Sequence, residues 1–148
     1  MSSSNLDATE YLALLAKQER RSKYKAKPTE VLRLTLPTPP SLNNLFANRR
    51  GGRTKSRHYR DWERESVYLN HWPRLSENAR NTIRWECAIV AHQLPHTRDV
   101  DNLAKAPVDL LCTMTGLRDC YLHRLTIERG DGAVPGIVVT VWLIEEAR

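Results

Sequence analysis

The sequence predicts an α/β (α+β) domain of two layers, a mixed β-sheet with helices mainly on one face, in the order β-α-β-α-β-β. Two kinds of apolar periodicity carry that expectation. Residues 32–36 and 83–89 alternate apolar and polar side chains with a period of two, as half-buried strands do. Tyr59, Trp62, Ser66 and Leu69, and again Leu103, Ala106, Leu110, Leu111 and Met114, recur at helical spacing. Segments of the two kinds take turns along the chain, and that alternation specifies a layered sheet-and-helix architecture. At 148 residues the chain is long enough for one domain with a real core.

The first element lies in a basic leader over residues 1–28. Asp7-Ala8-Thr9-Glu10 has the form of a capping box, and Ala8, Leu12 and Leu15 give a short apolar stripe. Lys17, Arg20, Arg21, Lys23, Lys25 and Lys27 then run to Pro28. A short helix with a basic tail and a disordered arm both fit this composition. The domain proper spans 29–148.

Its first strand covers 30–36 and is stopped by Pro37, Pro39 and Pro40. A polar loop is expected from Thr38 to about Arg57. No acid occurs between Glu30 and Asp61, yet Arg33, Arg49, Arg50, Arg53, Lys55, Arg57 and Arg60 all fall there. Loops of this length in a compact domain tend to be functional or disordered. Cations around Gly51-Gly52 suit DNA-backbone phosphates, which bind without reading sequence; a solvated basic loop is the alternative.

A helix is expected from His58 to about Leu75, ended by Pro73 and the polar run 76–78. A strand follows from Thr82 to about His92, with Ile83, Trp85, Cys87 and Ile89 on one face. The next helix runs past Asn102 to a stop at Gly116. It starts either near Asn102 or at Pro107, which lacks a backbone N–H. Strands over 121–127 and 136–144, joined by the turn 130–135, are expected to form a hairpin.

Composition narrows the function. A net charge of +6 favours an anionic partner, nucleic acid ahead of a membrane surface. No apolar run has the length of a membrane-spanning helix, and the N-terminus lacks the features of a signal peptide, so a cytoplasmic protein is expected. The three cysteines, Cys87, Cys112 and Cys120, form no C-x-x-C pair and read as reduced packing residues. A zinc site from Cys87, His92 and His96 lacks a fourth ligand.

The chemistry concentrates in Arg98-Asp99-Val100-Asp101-Asn102-Leu103-Ala104-Lys105. Two carboxylates two residues apart point the same way on extended backbone and are able to share one hard cation. The ordinary reading competes strongly, because Asp101 or Asn102 is also a good helix cap, worth about 1 kcal/mol. Lys105 weighs against it. A cation in the first turn opposes the helix dipole, so an anion nearby is needed to explain it: the carboxylates, a phosphate, or Asp109 one turn on. Asp119, just past Gly116, is expected to return to the same end of the sheet as a third carboxylate.

These residues resemble the RusA family of Holliday-junction resolvases of bacteria and their prophages. The resemblance runs from about Leu32 to Leu143. It rests on Asp99-x-Asp101-Asn102-x-x-Lys105 followed by Asp109 and Asp119, and on Pro39-Pro40-Ser41-Leu42-Asn43 followed by a basic, glycine-containing loop. It implies a homodimeric, Mg²⁺-dependent endonuclease, with Mn²⁺ able to substitute, that cuts four-way DNA junctions by paired symmetric nicks. On that resemblance Asp99, Asp101 and Asp119 match the metal-site acids, Lys105 the catalytic lysine, and Asn43 a polar position close to the site. The family often has paired acids where this chain has Arg118-Asp119. Asn43, Arg49, Arg50, Arg53, Lys55 and Arg57 are the candidate DNA contacts. A DNA-binding module without catalysis and a nuclease for forks or flaps are the alternatives.

Overall fold

The computed structural model of the protein describes residues 9, 12, 13, 28–81 and 84–144. Strand β1 spans Thr29–Leu36, and a small antiparallel pair follows, β2 at Phe46–Arg49 and β3 at Gly52–Lys55. Helix α1 spans Arg57–Leu69, the short α2 Glu77–Arg80, β4 Trp85–His92 and α3 Lys105–Thr115. β5 (Leu122–Gly130) and β6 (Gly136–Leu143) complete the domain. Single 3₁₀ turns occupy Leu42–Asn44, Asp101–Leu103 and Asp119–Tyr121. The fold is thus mixed α/β, a four-stranded mixed sheet with helices, as the periodicities predicted.

Alternation fixes the faces of the strands. Leu32, Leu34 and Leu36 of β1 are buried, as are Trp85, Cys87, Ile89 and Ala91 of β4. The register sets Leu34, Val139 and Ile89 side by side, and Leu36, Ile137 and Ala91 in the next row. Tyr59 and Trp62 of α1 and Ala106, Leu110 and Leu111 of α3 join those rows in one hydrophobic cluster. A fully buried aliphatic side chain in such a cluster contributes about 2 kcal/mol by leaving water. Cys87 faces this core, and the alternation turns His92 to the other face, so the two do not share a zinc site.

Strand neighbours differ from expectation. The sheet order is β1-β6-β4-β5, with β6 antiparallel to both its neighbours and β4 parallel to β5. β5 and β6 therefore do not form a hairpin, and 131–135 carries the chain across β4. Burial explains the choice. β6, Gly-Ile-Val-Val-Thr-Val-Trp-Leu, is apolar on both faces and takes a central place. β5 alternates charged and apolar residues and stands at the edge, where exposure costs it little.

The helices also depart in detail. α1 starts where Ser56 caps it, its hydroxyl oxygen accepting from the Tyr59 N–H at 3.1 Å. It stops six residues before the expected Leu75, because Asn70 turns extended and its side-chain amide donates to the carbonyls of Ser66 and Thr35, each at 3.0 Å. Leu69 is consequently exposed rather than part of the buried stripe. The polar run at 76–78 initiates α2, with Ser76 as its cap. β4 begins at Trp85; the expected strand residues Thr82 and Ile83 lie outside the described residues. α3 begins at Lys105, which puts Pro107 in the first turn, where its missing N–H would have had no helical partner. Gly116, at φ +79°, ends α3 as expected.

The expected long loop is in part a hairpin. Arg49 pairs with Gly52 across Arg50 and Gly51, and Gly51 has a φ of +99° that other residues reach only under strain. Of the leader only Thr9, Leu12, Ala13 and Pro28 are described, so the choice between helix and disordered arm lies outside the described residues. No helix among the described residues is long and apolar enough to cross a membrane.

Candidate functional site

The acid pair stands on the connection between β4 and α3. Leaving β4, the chain turns at Gln93 (φ +52°), buries Leu94, and closes a turn in which the Arg98 N–H donates to the Pro95 carbonyl at 3.0 Å. Arg129, near the end of β5, donates to the carbonyls of Leu94 at 3.0 Å and Arg98 at 2.5 Å. The Arg98 guanidinium in turn donates to the Pro39 carbonyl. Beyond Val100 the turn at 101–103 adjoins the turn at 42–44, with Leu103 and Leu45 both fully buried beneath. The Pro39–Asn43 stretch and the Asp99–Lys105 stretch, far apart in sequence, are thus neighbours. Asn43 is exposed on the first of the two turns.

Asp99 and Asp101 are exposed, and neither side chain forms a hydrogen bond or ion pair with another described residue. The helix-cap alternative is not what holds them. The residues flanking the 101–103 turn and α3 on the N-terminal side are Val100 and Ala104, with no side-chain cap at either place. Lys105 behaves as helix spacing alone would have it. Its Nζ lies 2.9 Å from Oδ1 and 2.8 Å from Oδ2 of Asp109, one turn on.

Asp119 does not join the pair. β4 and β5 run parallel, so the chain must return to the start of the sheet before β5 can begin. α3, eleven residues and about 16 Å long, makes that return. Asp119 follows it, in the turn before β5, where Trp85 Nε1 donates to the Arg118 carbonyl at 2.7 Å and Trp85 pairs with Leu122. Asp99 and Asp101 instead follow the His92 end of β4. Among the described residues no three His, Cys, Asp or Glu side chains form a group able to hold a metal ion. The charge of Asp119 is felt at Cys112, whose thiol is pushed up to about 11 by burial first and then by Asp119 and Asp109.

The five cationic candidates among the DNA contacts separate into two sets. Arg49, Arg50 and Arg53 are exposed on the β2–β3 hairpin with no carboxylate partner among the described residues, and the Arg53 guanidinium lies 4.7 Å from the Phe46 ring centre. Lys55 is taken by Glu63 at 2.6 Å and sits 4.9 Å above the Tyr59 ring, and Arg57 is within 3.7 Å of Asp61. The hairpin base is anchored through Phe46, edge-on to Tyr59 at 5.9 Å. Burial, followed by the fields of Asp109 and Glu63, pushes the Tyr59 hydroxyl far up, and that hydroxyl has no hydrogen-bond partner among the described residues.

Sequence reading passed over Arg98 and Arg129, which set the course of the acid loop. Neither stands out in the sequence, because an arginine on a loop or near the exposed end of an edge strand reads as an ordinary surface residue. Comparison with known proteins adds no relative: no family model matches the chain, and no curated protein matches it.

Proposed function

We propose that this protein is a divalent-metal-dependent, structure-selective DNA endonuclease that resolves four-way junctions by paired symmetric nicks, in the recombination and repair of DNA, as its resemblance to the RusA family implies. The observation that supports this reading best is the pair Asp99 and Asp101, exposed and unneutralised on a loop held by two arginines, in a chain of net charge +6. Isolated acids in a basic protein invite a cation, and carboxylate oxygens suit Mg²⁺, which binds through one or two carboxylates while keeping several waters; Mn²⁺ accepts the same donors. Val100 between them is helical (φ −68°, ψ −34°) rather than extended, so the two carboxylates are not aligned as alternation on extended backbone would align them, and each offers itself as a single carboxylate donor of the kind such an ion accepts. Asp119 belongs to the proposal through the resemblance alone.

When bound, the ion would polarise the scissile phosphate and activate water at neutral pH. The chain's own groups do the rest. Lys105, its ammonium steadied by Asp109, offers positive charge to the non-bridging oxygens as they gain charge. Arg49, Arg50 and Arg53 take backbone phosphates, and Asn43 stands at the edge of the acid turn. Two nicks require two sites, which a homodimer in the cytoplasm would provide.

A labelled four-way junction incubated with the protein and Mg²⁺ or Mn²⁺ should show symmetric nicks. Asp101→Asn should abolish cutting and keep or tighten junction binding, since it removes a metal ligand and one negative charge. A wild-type protein that binds the junction with either metal but leaves it uncut overturns the reading. A second reading, a branched-DNA-binding module without catalysis, draws on the lack of a three-acid group among the described residues and on the unpaired hairpin arginines. It requires no metal and no effect of Asp99→Asn. Cutting of forks or flaps in preference to four-way junctions would keep the chemistry and change the substrate.

A further inference from the structure

Arg129 stands exposed near the end of β5, the edge strand of the sheet. It pairs with Ala91, a buried residue of β4, and follows Leu125 and Ile127 on the same side of β5. Its guanidinium spreads over three main-chain carbonyls of one loop. Nη1 donates to Leu94 at 3.0 Å and Pro95 at 3.4 Å; Nη2 donates to Pro95 at 3.4 Å and Arg98 at 2.5 Å. Irregular backbone must find partners for its carbonyls, and here one planar fork supplies several at once. An ammonium group, a single point with three donors, does not match that spread.

Arg98 extends the arrangement. Its own carbonyl is held by Arg129 while its guanidinium holds the Pro39 carbonyl. Two arginines in series therefore link the end of β5, the loop before Asp99 and the segment after β1. Both spend their donors on carbonyls, although Asp99 is the very next residue to Arg98. The acids are thereby held in place without being neutralised.

We propose that Arg129 is a positioning residue for the acid pair: by fixing the carbonyls of Leu94, Pro95 and Arg98 it sets where Asp99 and Asp101 stand, and Arg98 transmits that placement to the Pro39–Asn44 segment. The clamp stands on the geometry; its consequence for cutting rests on the nuclease reading above. Arg129 touches neither substrate nor metal in this scheme. It acts through the loop.

The test compares wild type with Arg129→Met, which keeps the aliphatic stem, and with Arg129→Lys, which keeps the charge and serves if the first variant folds poorly. Amide hydrogen exchange is read over 96–101 and over α3 and β4. Junction cutting is read as a function of Mn²⁺. Loss of the clamp should speed exchange in 96–101 while α3 and β4 stay protected. It should raise the half-saturating Mn²⁺ concentration about tenfold, as loss of a group supporting metal ligands does. Cutting at saturating Mn²⁺ and metal-free junction binding should change much less. Unchanged exchange in 96–101, exchange that rises equally throughout, or an unchanged Mn²⁺ midpoint with a loosened loop would each overturn the proposal. Failure of the nuclease reading looks different: wild type itself then cuts at no Mn²⁺ concentration, whatever the exchange data show about the clamp.

Discussion

The acid loop and the basic hairpin are both exposed, both charged, and attached to the same domain with a different balance of main-chain and side-chain anchors. The loop bearing Asp99 and Asp101 is held through its main chain, by guanidinium groups on carbonyls, and its acidic side chains are left unpartnered. The hairpin bearing Arg49, Arg50 and Arg53 is held mainly through side chains, by Phe46 against Tyr59 and by Lys55 against Glu63 and the same ring, with one guanidinium, that of Arg60, on the Lys55 carbonyl at 3.3 Å. A main-chain anchor fixes a backbone position without using up the charge it carries. A side-chain anchor consumes some of the charge, as with Lys55, and leaves the tip free to adjust. One arrangement suits a site where geometry must be held, the other a surface that follows a phosphate backbone.

That contrast can be broken from either side. The largest expected effect is the one already set out for Asp101→Asn, which should remove cutting and spare binding. The triple variant Arg49→Ala, Arg50→Ala, Arg53→Ala should do the reverse. Each lost phosphate contact lowers the slope of log affinity against log salt by about 0.9, so the slope should fall by roughly 2 to 3, with cutting per bound junction little changed. Equal loss of cutting and binding in both variants would dissolve the distinction between the two regions.

A smaller effect concerns the core toward the other end of the sheet. Burial pushes the Cys87 thiol from its ordinary 9.0 up to about 12, and burial with neighbouring acids pushes Cys112 to about 11. A folded-state value above the unfolded one means stability that is complete below about pH 9 and lost as pH rises toward the folded values. Denaturation midpoints measured from pH 8 upward should therefore fall, and Cys87→Ala should flatten the fall while lowering the midpoint at neutral pH. The smallest effect is expected at the hairpin's anchor. The Tyr59 hydroxyl is buried without a partner among the described residues, so Tyr59→Phe should leave stability within about 1 kcal/mol of wild type, or raise it. A loss of several kcal/mol on thermal melting would show that the hydroxyl has a partner after all.

Much of the fold was legible in the chain because local periodicity reports local burial. Leu32, Leu34 and Leu36, the Trp85–Cys87–Ile89 face, the Tyr59–Trp62–Ser66 stripe and the stop at Gly116 all stand where alternation and helical spacing put them. The β2–β3 hairpin escaped because its strands are short and mostly polar, with only Phe46 and Ala47 half-buried, leaving Gly51-Gly52 as the cue. The acid pair was visible as a pattern. The arginines that carry it were not, since their partners are carbonyls, which every residue has and no sequence distinguishes.

The sequence by itself determined which faces are apolar, where α3 stops, and that two acids and a lysine cluster within one short stretch of a basic chain. Those are properties of neighbours along the backbone. Tertiary structure alone decided strand order, and strand order decided the site. With β6 apolar on both faces and taking the centre, β5 is left to pair parallel with β4 at the edge. Parallel pairing obliges α3 to carry the chain back along the sheet. Asp99 and Asp101 therefore begin that crossing and Asp119 ends it, a separation that follows from which strand can bear the most burial rather than from any spacing in the sequence.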